Sequence, residues 1–151
     1  MGDAWIERVE IEREALLHNI REFRRRIGPR RKFLAVVKAN AYGHGLLEVA
    51  GIAATEGVDW FGVHSIAEGV ALRRAGIGAP VLVLGYAPLA ALEEAVAADL
   101  RLTVYNKETV VRLAGLAKRM GRVVRLHVKM ETGTWRQGVA PRDLKAFVRD
   151  I

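Results

Sequence analysis

The sequence predicts an α/β fold: a partial (β/α)8 TIM-type barrel, with about five parallel β-α units after a leading strand and helix. Three observations predict it. Short apolar runs alternate with amphipathic helical stretches from residue 33 onward. Successive strand candidates are spaced by about 20–25 residues, which matches right-handed parallel crossovers. Runs such as 33–37 and 81–84 are apolar without alternation, as strands covered on both faces are.

Residues 5–11 alternate, with Ile6, Val9 and Ile11 set between Glu7, Arg8 and Glu10, and predict a short leading strand. A helix follows over about 13–27, with Leu16, Ile20, Phe23 and Ile27 on one face. Gly28-Pro29 stops it. The chain then repeats strand and helix. Strand 33–38 precedes helix 46–56, which Gly57 closes. Strand 60–64 precedes a helix opening at Ser65, with Glu68 three residues on as in a capping box. Strand 81–84 ends at Gly85, and Pro88 suits the first turn of a helix carrying Leu89, Leu92 and Val96 inward. Strand 101–104 precedes a helix capped by Asn106, with Val110, Leu113 and Ala117 on one face. Strand 123–130, a loop over 131–139 and a helix from Pro141 complete the series.

An open doubly wound sheet fits the same alternation. It usually binds its ligand at a glycine-rich first turn or a switch point. Neither GxGxxG nor GxxxxGK[ST] is present, and residues 39–45 fail both patterns. The chemistry-bearing residues fall after the first and fifth strands of the series, on one side, as barrel enzymes place them. A complete barrel needs eight such units, so this series reads as part of one.

The chain has 151 residues, 51% of them hydrophobic, which suffices for a real core. It has no cysteine, so disulfides and thiolate metal sites are excluded, and a cytoplasmic setting is expected. Residues 1–7 carry no basic segment followed by an apolar one, and no apolar run is long enough to span a bilayer, so no membrane partner is expected. The net charge of +7 owes much to Arg21, Arg24, Arg25, Arg26, Arg30, Arg31 and Lys32. No aromatic residues interleave with these arginines, so a solvated helix end is favoured over a nucleic-acid surface.

Lys38 ends the first strand of the repeating series. Pyridoxal 5′-phosphate (PLP) enzymes use a lysine so placed to form a Schiff base, because partial burial favours the neutral, nucleophilic amine. Val36 faces the same way and would line one side of a planar ring. Tyr42 stands in the following loop, where Gly43 and Gly45 allow close backbone approach to a phosphate. His127 and Lys129 alternate with Val128 and Met130 on the last strand. Arg136 follows in a loop, and its fork suits a carboxylate or phenolate oxygen. Taken singly, each has a plainer reading: a snorkelling lysine, a packed loop tyrosine, a surface arginine. His44 reads as a structural loop residue.

Ala35-Val36-Val37-Lys38-Ala39-Asn40-Ala41-Tyr42-Gly43-His44-Gly45 resembles the PLP-attachment motif of the alanine racemases. Phe61-Gly62-Val63-His64-Ser65-Ile66-Ala67-Glu68-Gly69 and Val81-Leu82-Val83-Leu84-Gly85 resemble that family's second and third strand regions, and Lys129-Met130-Glu131-Thr132-Gly133 with Arg136 its fifth. The resemblance implies that residues 1–11 join a C-terminal β-domain and that residues 12–151 are the N-terminal part of the barrel. It implies PLP as cofactor, held by Lys38, Tyr42, Val36, Leu84 and Arg136. Lys38 is then the base on one face of the α-carbon, and Arg136 also meets the substrate carboxylate. Lys129 matches a lysine that is carbamylated in some members. The expected activity is interconversion of L- and D-alanine, supplying peptidoglycan, in a homodimer whose second base comes from the C-terminal domain. The 151 residues alone are therefore expected to turn over poorly and to self-associate. A non-catalytic PLP-binding barrel protein is the alternative. Thr134-Trp135 departs from the family's usual Met-Gly, which bears on substrate choice.

Overall fold

The computed structural model describes residues 9–151. Most of the leading strand expected over 5–11 lies outside the described residues, and residues 9–12 form no regular element. Helix α1 (Arg13–Ile27) has the expected bounds and ends at Gly28, whose φ is 76°. Its buried line differs from expectation. Leu17 and Ile20 are buried, whereas Phe23 is 60% exposed and leans against Phe33. The reason is electrostatic. Arg21 and Arg24 share the face of Leu17 and Ile20. Arg21 forks onto Glu56 at 2.9 and 2.6 Å. Arg24 donates to Asp59 (2.7 Å) and to the carbonyls of Gly57 (2.7 Å) and Arg31 (3.0 Å). Part of the basic cluster thus docks α1 and sets its rotation, rather than merely facing solvent.

Strands β1 (Leu34–Val36), β2 (Trp60–Val63), β3 (Val81–Val83), β4 (Arg101–Val104) and β5 (Leu126–Val128) form one parallel sheet in the order 1-2-3-4-5. Between β1 and β2 lie the short turn α2 (Lys38–Tyr42) and helix α3 (Leu46–Thr55). Helices α4 (Ile66–Arg74), α5 (Leu92–Ala97) and α6 (Lys107–Met120) make the next crossovers, and α7 (Leu144–Arg149) follows β5. A strand order without reversal has no switch point, so the barrel reading holds over the doubly wound one.

Local signals act as expected at two helix starts. The Ser65 hydroxyl accepts the Glu68 N–H and Glu68 reaches back to the Ser65 N–H, completing a capping box. Asn106 accepts the Thr109 N–H at 2.9 Å. After Pro88 comes a 3₁₀ turn at Leu89–Ala91, and the α-helix proper starts at Leu92. The strand expected over 123–130 shrinks to β5, with Val123 exposed and a bridge from Met130 to Val139 beyond it.

Phe61, Val63, Val81, Val83, Leu102 and Val104 face the helices, and each is at most 1% exposed. They pack with Leu72, Leu92, Leu113 and Leu116, each such side chain contributing about 1.5–3 kcal/mol by leaving water. The alternate residues line the other face. A Cβ on Gly62 would lie within 2.9–3.4 Å of Leu34, Leu84 and Val36. Across that face Trp60 of β2 meets His127 of β5, ring centroids 5.7 Å apart. Two strands separate them in the sheet, so the contact requires a sheet curled toward this face, as in a barrel wall.

Candidate active site

The strand ends on this inner face open into a cavity of about 570 Å³ lined by Lys38, Leu84, Lys129 and Arg136, all anticipated from sequence. It lies within the size range of small-molecule sites. His64, Tyr86, Thr103, His127 and Gln137 also line it. Lys38 is half-buried two residues past the end of β1, where its Nζ stands 5.9 Å from the centroid of the Tyr42 ring. Tyr42 and Val36 border a neighbouring groove instead, lined also by Leu16, Ala41 and His44. Val36 still shares the inner face with Leu84 through Gly62.

The loop expected after Lys38 is a left-handed turn. Ala39, Asn40, Ala41 and Tyr42 have φ of 52°, 54°, 52° and 55°. Left-handed backbone costs a non-glycine residue roughly 1–2 kcal/mol, so four in succession need outside support. Gly43, at φ 92°, closes the turn by donating to Ala39 and Asn40 carbonyls. The Asn40 side chain accepts the Leu46 N–H at 2.8 Å, and His44 Nδ1 sits 2.9 Å from the Ala41 carbonyl. The Ala39 N–H donates to Glu68 Oε1 at 2.7 Å. His44 is thus structural, as its sequence context suggested.

The cavity wall is basic. Lys38, His64, His127, Lys129 and Arg136 line it, and no carboxylate does. The two nearby acids are turned onto backbone amides. Glu68 lies below its ordinary range: partial burial pushes it up, but the N–H groups of Ser65, His64, Ala39 and Asn40 together outweigh that. Glu131 is buried at the base of the Arg136 loop and accepts the Gly133 N–H at 2.6 Å. The Trp135 and Gly133 amides foremost hold its carboxyl low. His127 is pushed down, first by burial and then by Arg101, which stacks on Trp60 at 4.2 Å. Neither acid lines the cavity, whose charged lining side chains are Lys38, Lys129 and Arg136, and that lining suits an anionic ligand. Among the described residues no cluster of His, Cys, Asp or Glu could hold a metal ion.

Sequence reasoning missed His64, Tyr86 and Thr103 as lining residues. It also saw only the capping half of what Glu68 does. Position after a strand end was the available signal for His64 and Tyr86, but no pattern in the sequence ranked them.

Comparison with known proteins gives the same answer as the geometry. The family described as "Alanine racemase, N-terminal domain" matches residues 11–151. The chain is 44% identical over 137 residues to "Alanine racemase 2" of Caldanaerobacter subterraneus subsp. tengcongensis, covering 91% of this chain and 35% of that protein. It is 41% identical over 142 residues to the alanine racemase of Symbiobacterium thermophilum, covering 94% and 37%. The solved alanine racemase of Clostridium difficile 630 superposes with a TM-score of 0.83 at 35% identity, over 91% of this chain and 36% of that one. A histidine racemase from Leuconostoc mesenteroides subsp. sake gives 0.83 at 28% identity, over 92% and 37%. The chain spans about a third of the length of the relatives it matches. With its sequential parallel sheet and basic strand-end cavity, it belongs to the alanine racemase N-terminal domain family.

Proposed function

We propose that this chain is the cofactor-holding part of a PLP-dependent amino-acid racemase that interconverts L- and D-alanine, in a cytoplasmic enzyme supplying D-alanine for peptidoglycan. The observation that carries the reading is the cavity itself: basic side chains surround Lys38 at the strand ends, with no carboxylate among them. Such a wall fits a ligand bearing a phosphate, a phenolate and a substrate carboxylate. When bound, PLP withdraws electrons from the α-carbon of an attached amino acid and so acidifies its α-proton.

The chain's own residues would do the rest. Lys38 would hold PLP covalently through Nζ and would move the α-proton to or from one face of the α-carbon. Tyr42, whose ring centroid lies 5.9 Å from Lys38 Nζ, would donate its hydroxyl to the phosphate. Leu84, which lines the cavity, and Val36, beside it on the inner face, would pack against the cofactor. Arg136 pairs with the phenolate oxygen and the substrate carboxylate. A carbamate on Lys129 would give Arg136 a nearby anion to lean on; an intact mass without the added carboxylate removes that part.

The racemase reading is favoured over a non-catalytic PLP-binding barrel because the relatives named above are racemases. Alanine is favoured as substrate by the more similar relatives. The test is to add PLP and follow the visible absorbance band that forms when an amine captures it. The wild-type chain should gain the band and Lys38→Ala should lose it. A band of equal strength in Lys38→Ala sinks the reading. Exchange of the alanine α-proton with deuterated solvent then reads the chemistry.

A further inference from the structure

We propose that Glu68 is the positioning residue for Lys38: its carboxylate clamps the left-handed turn after the lysine to the end of β2. The inference rests on the assignment of Lys38 as the cofactor-holding residue. Glu68 sits in the first turn of α4, where a capping box would need only its bond to Ser65. Its carboxylate does more. Oε1 accepts the Ala39 N–H at 2.7 Å, from a residue 29 positions away. Oε2 accepts the N–H groups of His64 (2.7 Å) and Ser65 (3.1 Å). One anion therefore joins the loop after β1, the loop after β2 and the start of α4.

The position matters because Ala39 begins the strained run. Four consecutive residues at φ of 52–55° follow Lys38, and none is glycine. Without a partner for the Ala39 N–H, this backbone would relax toward right-handed or extended forms. Lys38 would then lose its fixed direction into the cavity. A carboxylate suits the task because hydrogen bonds to an ionised acceptor are roughly twice as strong as neutral ones. Partial burial alone would raise this carboxyl; the converging amides instead keep it ionised.

The test compares Glu68→Gln with Ser65→Ala in the full chain. Glutamine places an NH₂ where one oxygen received amides, so one of the two loops is released. Ser65→Ala weakens the helix cap but leaves the clamp. Three quantities are read: melting temperature, PLP affinity from the visible band, and hydrogen exchange at Ala39 and Asn40 without PLP. Glu68→Gln should weaken PLP affinity about tenfold and speed exchange at those amides by a similar factor. Ser65→Ala should lower the melting temperature while leaving affinity and exchange within about twofold. If Glu68→Gln does not fold, Glu68→Asp, which keeps the charge and shortens the reach, carries the same expectation.

Two results overturn the proposal. One is Ser65→Ala reproducing the loss of affinity, which would reduce Glu68 to a helix cap. The other is Glu68→Gln or Glu68→Asp keeping both affinity and protection. A wild-type chain that gains no band with PLP sinks the cofactor reading instead, and the exchange measurement still decides the clamp.

Discussion

At the scale of single residues, the cavity is shaped by what is left out as much as by what is present. Gly85 ends the third strand region, and a Cβ there would stand 2.4 Å from the His64 carbonyl oxygen and 2.7 Å from its ring. The first contact is backbone, so shortening the histidine does not remove it. Gly85→Ala is therefore expected to destabilise the fold by about 1–3 kcal/mol, the usual cost of overpacking. His64→Ala should not rescue it. Urea unfolding of the single and double variants checks this, and full recovery in the double variant would assign the clash to the ring instead. A glycine after an apolar strand was legible as a terminator. The approach of His64 was not, because it crosses from one strand end to the next.

At the scale of elements, the short range of sequence signals explains what they caught. The Ser65 and Asn106 caps lie within one turn of the groups they satisfy, and both were legible. The rotation of α1 was not, because its partners Glu56 and Asp59 lie 35 residues on. That docking should make stability pH-dependent. Asp59 is held well below its ordinary value of 3.8, first by the Arg24 hydrogen bond, then by the Phe33 N–H and Lys32. A carboxyl depressed in the folded state stabilises it above the unfolded pKa, and that contribution fades as pH falls from about 4 toward the folded value. The urea midpoint should thus hold down to about pH 5 and drop below pH 4. Asp59→Asn should start lower at neutral pH and show a shallower acid decline. An unchanged acid profile in that variant would clear Asp59 of the role.

At the scale of the whole molecule, the sheet has two ends. Among the described residues β1 pairs only with β2, and β5 only with β4. The inner face carries Val36, 38% exposed, beside Trp60 and Arg101. Open strand edges next to apolar surface favour association. The 151-residue chain is accordingly expected to self-associate, and light scattering that reads a single stable monomer across concentrations would count against it. The chain spans about a third of the length of the relatives it matches.

The sequence by itself determined the alternation of strand and helix after α1, the Ser65 and Asn106 caps and a lysine just past β1, although the strand stops at Val36, two residues short of it. Periodicity, glycine stops and apolar runs act over a few residues, and each is written locally. It also determined that Lys38 and Arg136 end on the same side, since parallel strands in series all point one way. Only the tertiary structure decided how the lysine is held. No local preference favours four left-handed residues without glycine; beside the turn's own short-range bonds, one distant group, Glu68, accepts the Ala39 N–H.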